Sequence, residues 1–357
     1  MSISDSNTRQ RIAIIRFLMV CGIVILHTPQ YVDIATLGSG WFDLTKAYFQ
    51  SAVFRCSVPT LTCISGYLLF SAGRDTSAIA LFKMKFRTLV VPFLVFNTLL
   101  AVAIFAVEGT TKLPISYQLH PFDATTMLDA AFGWTKAPIN YPLNFLRDLI
   151  VLMLLAPLFG WMIRRAAFSG LVALTIIMIW NLDGALILRN EMALMFYIGG
   201  VAAVKQWNLR TLDRHAGLCL AVFLALCAAV IFFRVGNTTY LRLVAPVLIW
   251  PASALLVHTR AGKWFAQMSG YSFFIFLCHA PVLLGTWMVY KTGVTGLPYE
   301  AYWLLAPVVT VTFLIGTHQL MTNSMPNLFA SMAGGSRRYS ARVQTMATAA
   351  PVSRMAA

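Results

Sequence analysis

Ten long apolar stretches divide this chain, and each has about the length that crosses a lipid bilayer. A bilayer core of about 30 Å requires about 20 helical residues. The stretches lie at about 12–31, 50–71, 88–107, 144–163, 167–183, 191–204, 216–233, 239–257, 270–290 and 301–321. Only 11% of the residues are charged, against about 25% in soluble globular proteins. The pattern therefore excludes soluble and disordered chains and predicts an all-α, polytopic transmembrane helix bundle.

The distribution of charge predicts how the bundle lies in the membrane. The chain carries 27 basic and 12 acidic residues, a net charge of +15. If the N-terminus is cytoplasmic, the predicted cytoplasmic segments hold all of this excess, as the positive-inside rule requires. We therefore expect both termini to lie in the cytoplasm, and we expect no nucleic-acid partner. The prediction places one transmembrane domain at 1–321 and a disordered cytoplasmic tail at 322–357.

The first span contains two ionisable residues, Arg16 and His27. Their separation of eleven residues returns to within about 20° of the same helix face and corresponds to about 16 Å along the axis. Ionisable residues inside a membrane are costly and usually face a site. An arginine suits a phosphate group, and a neutral histidine can take a proton from a hydroxyl. Two alternatives remain: Arg16 extends to the membrane boundary, and His27 bonds a neighbouring helix.

The Arg-x10-His pattern resembles the membrane acyltransferase 3 family of sugar O-acyltransferases. Four further stretches resemble segments of that family in the same order, over about residues 10–320. They are Val58-Pro59 followed by Ile64-Ser65-Gly66-Tyr67-Leu68-Leu69, Lys83 to Asn97 with Pro92, Phe145-Leu146-Arg147-Asp148-Leu149 with Pro157, and Phe276-Leu277-Cys278-His279-Ala280-Pro281.

The resemblance implies transfer of an acyl group, usually acetyl from the co-substrate acetyl-CoA, to a sugar hydroxyl. Succinyl or another acyl group remains open. The acceptor is expected to be a bacterial exopolysaccharide, for example of the xanthan type, or its lipid-linked precursor. Arg16, Lys83, Lys85 and Arg87 would bind the phosphates of CoA at the cytoplasmic face. Alternatively, Lys83 and Lys85 only contribute to the positive-inside charge.

Five residues are predicted to act on the reacting groups. His27 would be the general base, or would carry the acyl group briefly. Ser65 would donate to the thioester oxygen, unless it bonds its own helix backbone. Asp148 would orient a histidine or bind sugar, and Arg147 would bind sugar or an anionic carrier lipid. His279 would join the substrate site if the ninth span packs on the first.

Two other classes of function remain open. A carrier or flippase for a lipid-linked saccharide would also place polar residues inside its spans, and a non-catalytic assembly subunit is the third class. The expected partners are acyl-CoA, the saccharide acceptor and the lipid bilayer. No metal site is predicted, since no Cys, His and Asp set has metal-ligand spacing.

Overall fold

The computed structural model describes residues 6–108, 118–184 and 186–334, and within these ranges the chain is helical and has no strand. The helices are α1 Ser6–Leu26, α2 Trp41–Ala47, α3 Ser57–Ser71, α4 Ala78–Lys85, α5 Val91–Glu108, α6 Ala124–Phe132, α7 Asn144–Trp180, α8 Glu191–Val204, α9 Ala216–Phe232, α10 Thr239–Ala252, α11 Ala254–Val257, α12 Arg260–Met268, α13 Ser272–Lys291, α14 Tyr299–Ser324 and α15 Pro326–Met332.

Seven helical segments in the described part of the chain are long and apolar enough to cross a membrane. They are Trp41–Ser71, Ala78–Glu108, Tyr141–Trp180, Asp213–Phe232, Thr239–Val257, Arg260–Lys291 and Tyr299–Ser324, and α8 is a shorter apolar helix. The prediction of an all-α polytopic membrane bundle is confirmed. All ten predicted spans fall on helices, but the number of crossings and the side of the termini stay predictions.

Helix α7 contains two of the predicted spans. Its 37 residues would extend about 55 Å if straight, which is well beyond the bilayer core. The backbone leaves helical geometry at Ala166, with φ −148° and ψ 58°. Next to this break, Arg164 pairs with the buried carboxylate of Asp75 at 2.6 Å. The break lies where the sequence predicts a turn between two spans.

Helix α1 lies at the centre of the bundle and packs against α3, α12, α13 and α14. Its side chains contribute to two separate apolar cores. Ile23 and Val24 belong to the larger one, which includes α7, α8 and α13. Ile12 belongs to the second, with α9 and α10. Protein surrounds α1 on several sides, and two of its polar residues, Thr8 and Arg11, are buried among other helices.

The C-terminal region differs from the prediction. Helix α14 continues to Ser324, and α15 follows it directly. Phe329 of α15 is buried and contacts the rings of Phe274 and His318, with centroids 5.2 and 4.8 Å apart. Residues 322–334 are thus folded onto the bundle, because one aromatic side chain anchors a segment whose composition is otherwise Ser- and Ala-rich. The rest of the predicted tail lies outside the described residues.

Candidate active site

Two histidines from different helices meet at the end of α1. His27 follows the last residue of α1, and His279 lies in the middle of α13 and is fully buried. The Nδ1 of His27 and the Nε2 of His279 are 3.2 Å apart, and the ring centroids are 5.3 Å apart. The sequence placed His279 in the site only if the ninth span packs on the first. The two helices that contain these spans, α13 and α1, do pack against each other.

The surrounding carbonyls determine where the protons of the two imidazoles lie. A carbonyl oxygen only accepts hydrogen bonds. The Nδ1 of His27 is 2.9 Å from the oxygen of Ile23, and the Nδ1 of His279 is 2.8 Å from the oxygen of Phe276. Both rings therefore carry their proton on Nδ1 when neutral, and His279 accepts from His27 through Nε2. This assignment leaves the Nε2 of His27 unprotonated and able to accept a proton.

The polypeptide around His27 is held by a side chain that the sequence analysis missed. The Nε2 amide of Gln50 donates to the oxygen of Ile25 at 3.0 Å and to the oxygen of Thr28 at 2.8 Å. These carbonyls flank His27 at the end of α1, where helix carbonyls lose their intrahelical partners. Gln50 is buried. It therefore fixes the backbone that carries the base.

An aromatic ring and two arginines lie near His27. Tyr141 contacts it edge to face, with centroids 6.1 Å apart, and the tyrosine is 54% exposed. The charges of Arg189 and Arg55 act on the imidazole. Arg55 itself lies over the ring of Tyr31 at 5.0 Å. The analysis of the sequence did not single out Arg189, because it lies outside the motifs.

Asp148 and Arg147 hold the loop that carries Arg189. Asp148 is completely buried, and its oxygens accept from the backbone N–H groups of Leu188 at 3.0 Å and Arg189 at 3.1 Å. Arg147 pairs with Asp148 at 3.1 Å and donates to the oxygen of Gly133 at 2.9 Å. In this arrangement both residues connect the loops that precede and follow α7 to this helix. A direct catalytic role for Asp148 and a substrate contact for Arg147 stay predictions.

A cavity of about 420 Å³ lies on the other side of the histidines, between α1, α3, α7 and α13. It brings together three residues predicted from the sequence, Arg16, Ser65 and Lys85, with two that were not predicted, Arg74 and Ser272. We call it the donor cavity below. Its remaining wall is mostly apolar.

The donor cavity approaches the histidine pair along two helix stripes. On α1, Arg16 and Val20 both lie in the cavity wall, one turn apart. His27 follows on the same face, about 10 Å beyond Val20 along the helix axis. On α13, Phe276 lies in the wall, and its carbonyl contacts His279. Arg16 and His27 thus occupy one face of α1, and that face is directed toward protein and a cavity.

The other predicted residues are placed differently. Lys83 and Arg87 are exposed and do not line the donor cavity; Lys83 lines a separate apolar one with Lys85. Ser65 donates to the backbone oxygen of Leu61 at 2.7 Å. This is the bond expected if Ser65 only satisfies its own helix backbone. Its hydroxyl still borders the donor cavity.

The chain can now be compared with known proteins. The profile of a family described as an acyltransferase domain matches residues 9–317. The chain belongs to this acyltransferase family. Succinoglycan biosynthesis protein ExoH of Rhizobium meliloti (strain 1021) is 33% identical to it over 358 residues, which cover 96% of both chains. No solved structure matches significantly.

The comparison confirms the family that the five sequence stretches resemble. The matched residues of the acyltransferase include His27, His279 and almost the whole lining of the donor cavity. Together with the apolar helices, the match makes the protein a multi-pass membrane O-acyltransferase.

Proposed function

We propose that this acyltransferase moves an acyl group from cytoplasmic acyl-CoA to a hydroxyl of a bacterial exopolysaccharide or of its lipid-linked precursor. Acetyl-CoA is the expected donor, and the bacterial inner membrane is the expected location. One observation carries the proposal: the Nε2 of His27 is free to accept a proton, and the cavity that approaches His27 along α1 has only basic residues among its charged lining residues. The name of the relative, a succinoglycan biosynthesis protein, supports a polysaccharide acceptor.

The donor cavity suits the two chemical parts of acyl-CoA. Arg16 and Lys85 line it together, and paired cations suit the phosphates of CoA. The apolar wall beyond them, with Val20 and Phe276, suits a narrow arm that carries the thioester toward His27. In this pose the donor enters from the side on which the basic residues concentrate.

The proposed reaction is a direct transfer with His27 as general base. The Nε2 of His27 accepts the proton of the acceptor hydroxyl while that oxygen forms a bond to the thioester carbonyl carbon. The carbon–sulfur bond then breaks, and the departing sulfur takes the proton from His27. His279 stabilises the imidazolium by accepting its Nδ1–H. General-base help of this kind contributes about 10²–10⁴ in rate.

The outer residues would receive the acceptor. The exposed ring of Tyr141 provides an apolar face beside His27 for a sugar. Arg189, held by Asp148, contributes a positive charge that suits an anionic acceptor or carrier lipid. Ser65 would have to leave the oxygen of Leu61 in order to donate to the thioester oxygen.

The experiment that tests the function is analysis of the polymer made by a deletion strain and by strains complemented with variants. The deletion is expected to remove ester-linked acyl groups while the sugar composition and the amount of exported polymer stay unchanged. Mass analysis of the wild-type polymer identifies the acyl group. Complementation with His27→Ala is expected to fail.

A matched control is His258→Ala, because His258 is exposed and does not line the donor cavity. This variant is expected to restore acylation fully. Unchanged acylation in the deletion strain would exclude the proposed function, and loss of exported polymer would indicate a carrier for the lipid-linked saccharide instead.

A further inference from the structure

Three positive side chains converge on the donor cavity from three parts of the chain. Arg16 comes from α1, Lys85 from the end of α4, and Arg74 from the turn Arg74–Thr76 between α3 and α4. The charges of Arg16 and Arg74 both act on Lys85. None of the described residues that line the cavity is acidic. Such a cluster is stabilised by a ligand that carries more than one negative charge.

The neighbouring carboxylate does not neutralise this cluster. Asp75 follows Arg74 in the chain, but its side chain is buried and pairs with Arg164 of α7 at 2.6 Å. Arg74 itself is exposed to water while it lines the cavity. Its guanidinium therefore lies where a phosphate group arriving from solution would first meet the protein.

Ser272 adds a second, independent observation. Its side chain is 1% exposed, and its hydroxyl borders the cavity without a hydrogen-bond partner. A buried hydroxyl without a partner is destabilising. Ser272 lies seven residues before His279 in α13, on the same face and about 10 Å away along the axis. Its hydroxyl is thus placed between the basic cluster and the histidines.

We propose that Arg74 and Ser272 are additional binding residues for the acyl donor. Arg74 contacts a phosphate group of CoA at the mouth of the cavity. Ser272 hydrogen-bonds the amide-containing pantetheine arm between the phosphates and the thioester. This inference rests on the proposed function, since it assumes acyl-CoA as the donor.

The test measures binding of two probes, CoA and pantetheine, to the purified full-length protein. Arg74→Gln is expected to weaken CoA binding about tenfold or more, as loss of a charge-assisted hydrogen bond does, and to leave pantetheine binding unchanged. Ser272→Ala is expected to weaken binding of both probes by about three- to tenfold. In the transfer reaction, both substitutions raise the KM for acyl-CoA with little change in kcat.

Two matched controls separate these effects from general damage. Ser57→Ala removes another buried hydroxyl without a partner, and Arg260→Gln removes another exposed arginine; neither residue lines the donor cavity. Both controls are expected to bind CoA like the wild type. The melting temperature of each variant checks its folding, and Arg74→Lys is expected to recover part of the CoA affinity.

The outcomes distinguish this inference from the proposed function. If the wild type binds CoA and the Arg74 and Ser272 variants bind it equally well, the inference is wrong and the proposed function stands. If Arg74→Gln weakens pantetheine binding as much as CoA binding, the assigned phosphate contact is wrong. If the wild type binds neither probe, acyl-CoA is not the donor, and the inference fails with it.

Discussion

His279 accepts a hydrogen bond from the ring of His27. We therefore expect substitution of His279 to lower the rate of acyl transfer rather than the binding of acyl-CoA. His279→Leu removes one of the two acceptors near the Nδ1–H of His27: the Nε2 of His279 lies 3.2 Å from this nitrogen, and the oxygen of Ile23 remains at 2.9 Å. We expect kcat to fall about 10–100-fold with the KM for acyl-CoA unchanged. His279→Gln, whose side-chain oxygen can accept the same hydrogen bond, is expected to recover part of the rate. Steady-state kinetics of the two purified variants provide the measurement, and equal losses in both would contradict a positioning role.

Asp148 is predicted to matter for stability as well as for activity. Asp148→Ala leaves Arg147 and the N–H groups of Leu188 and Arg189 without their buried acceptor. Breaking a buried ion pair of this kind typically destabilises by about 3–5 kcal/mol, and the partial exposure of Arg147 lowers the expectation to about 2–4 kcal/mol. Thermal unfolding in detergent measures the loss. The matched control is Asp123→Ala, an exposed helix cap, for which a smaller loss is expected.

Individual residues also show what the sequence could and could not predict. The face shared by Arg16 and His27 follows from helix periodicity alone, because both residues belong to one helix. The contact between His27 and His279 depends on which helix packs against α1, and periodicity within one helix does not contain that information. For the same reason the sequence did not bring Arg74 together with Lys85 at the donor cavity; Lys83 and Arg87 do not line it, and CoA binding by these two residues stays a prediction.

Helices α3 and α8 approach so closely that their backbones touch. A Cβ atom added at Gly66 would overlap the carbonyl oxygen of Phe196, and one at Gly199 would overlap the carbonyl oxygen of Cys63. Small residues permit such packing between membrane helices. Gly66→Ala and Gly199→Ala are each expected to destabilise the protein by about 1–3 kcal/mol, measured as a lower melting temperature.

Two other helical glycines provide the matched control for this packing. Gly285 in α13 and Gly316 in α14 have no atom near the position of an added Cβ. Alanine at either site is expected to leave the melting temperature unchanged or to raise it slightly. A similar loss at all four positions would show that backbone flexibility, rather than contact between α3 and α8, determines the effect.

Gln50 connects the second helical segment to the end of α1, and its removal is predicted to affect catalysis. Gln50→Met keeps the approximate volume but removes the donor to the oxygens of Ile25 and Thr28. The oxygen of Thr28 then loses the Gln50 donor, which costs about 1–3 kcal/mol, whereas the oxygen of Ile25 still accepts the backbone N–H of Thr28. We expect a lower kcat because the backbone beside His27 is no longer fixed. A variant with wild-type kcat and a lower melting temperature would restrict Gln50 to a structural role.

Segment boundaries were predicted less well than the existence of the segments. The second span was expected to begin at residue 50, but its helix begins at Trp41. Lys46 lies in this stretch, and its side chain is nevertheless buried and 3.3 Å from the hydroxyl of Tyr299. A hydropathy profile scores Lys46 as polar and ends the apolar stretch there. The profile cannot include Tyr299, the partner that permits the burial of Lys46, because Tyr299 is distant in the sequence.

Two ion pairs each join residues that the predicted topology places on the same side of the membrane. Arg11 pairs with Asp213, and the sequence places both on the cytoplasmic side. Arg242 pairs with Glu191, and both lie on the opposite side of the predicted topology. The charge distribution could predict this grouping because Lys and Arg remain on the cytoplasmic side during insertion. It could not predict the pairs themselves, which depend on the order of helices around α1.

The two-sided arrangement of the donor cavity and the histidine pair predicts that the direction of acyl transfer is fixed. CoA is too polar to cross a bilayer, so added acyl-CoA should support transfer only in inside-out membrane vesicles, where the cytoplasmic face is accessible. Right-side-out vesicles should remain inactive until a detergent opens them. Radiolabelled acyl-CoA and analysis of the esterified acceptor measure both preparations, with the accessibility of Arg210 and Arg214 to a protease as the check of orientation. Equal activity in sealed vesicles of both orientations would place the donor site and His27 on one side of the membrane, and would contradict transfer along the Arg16 to His27 face of α1.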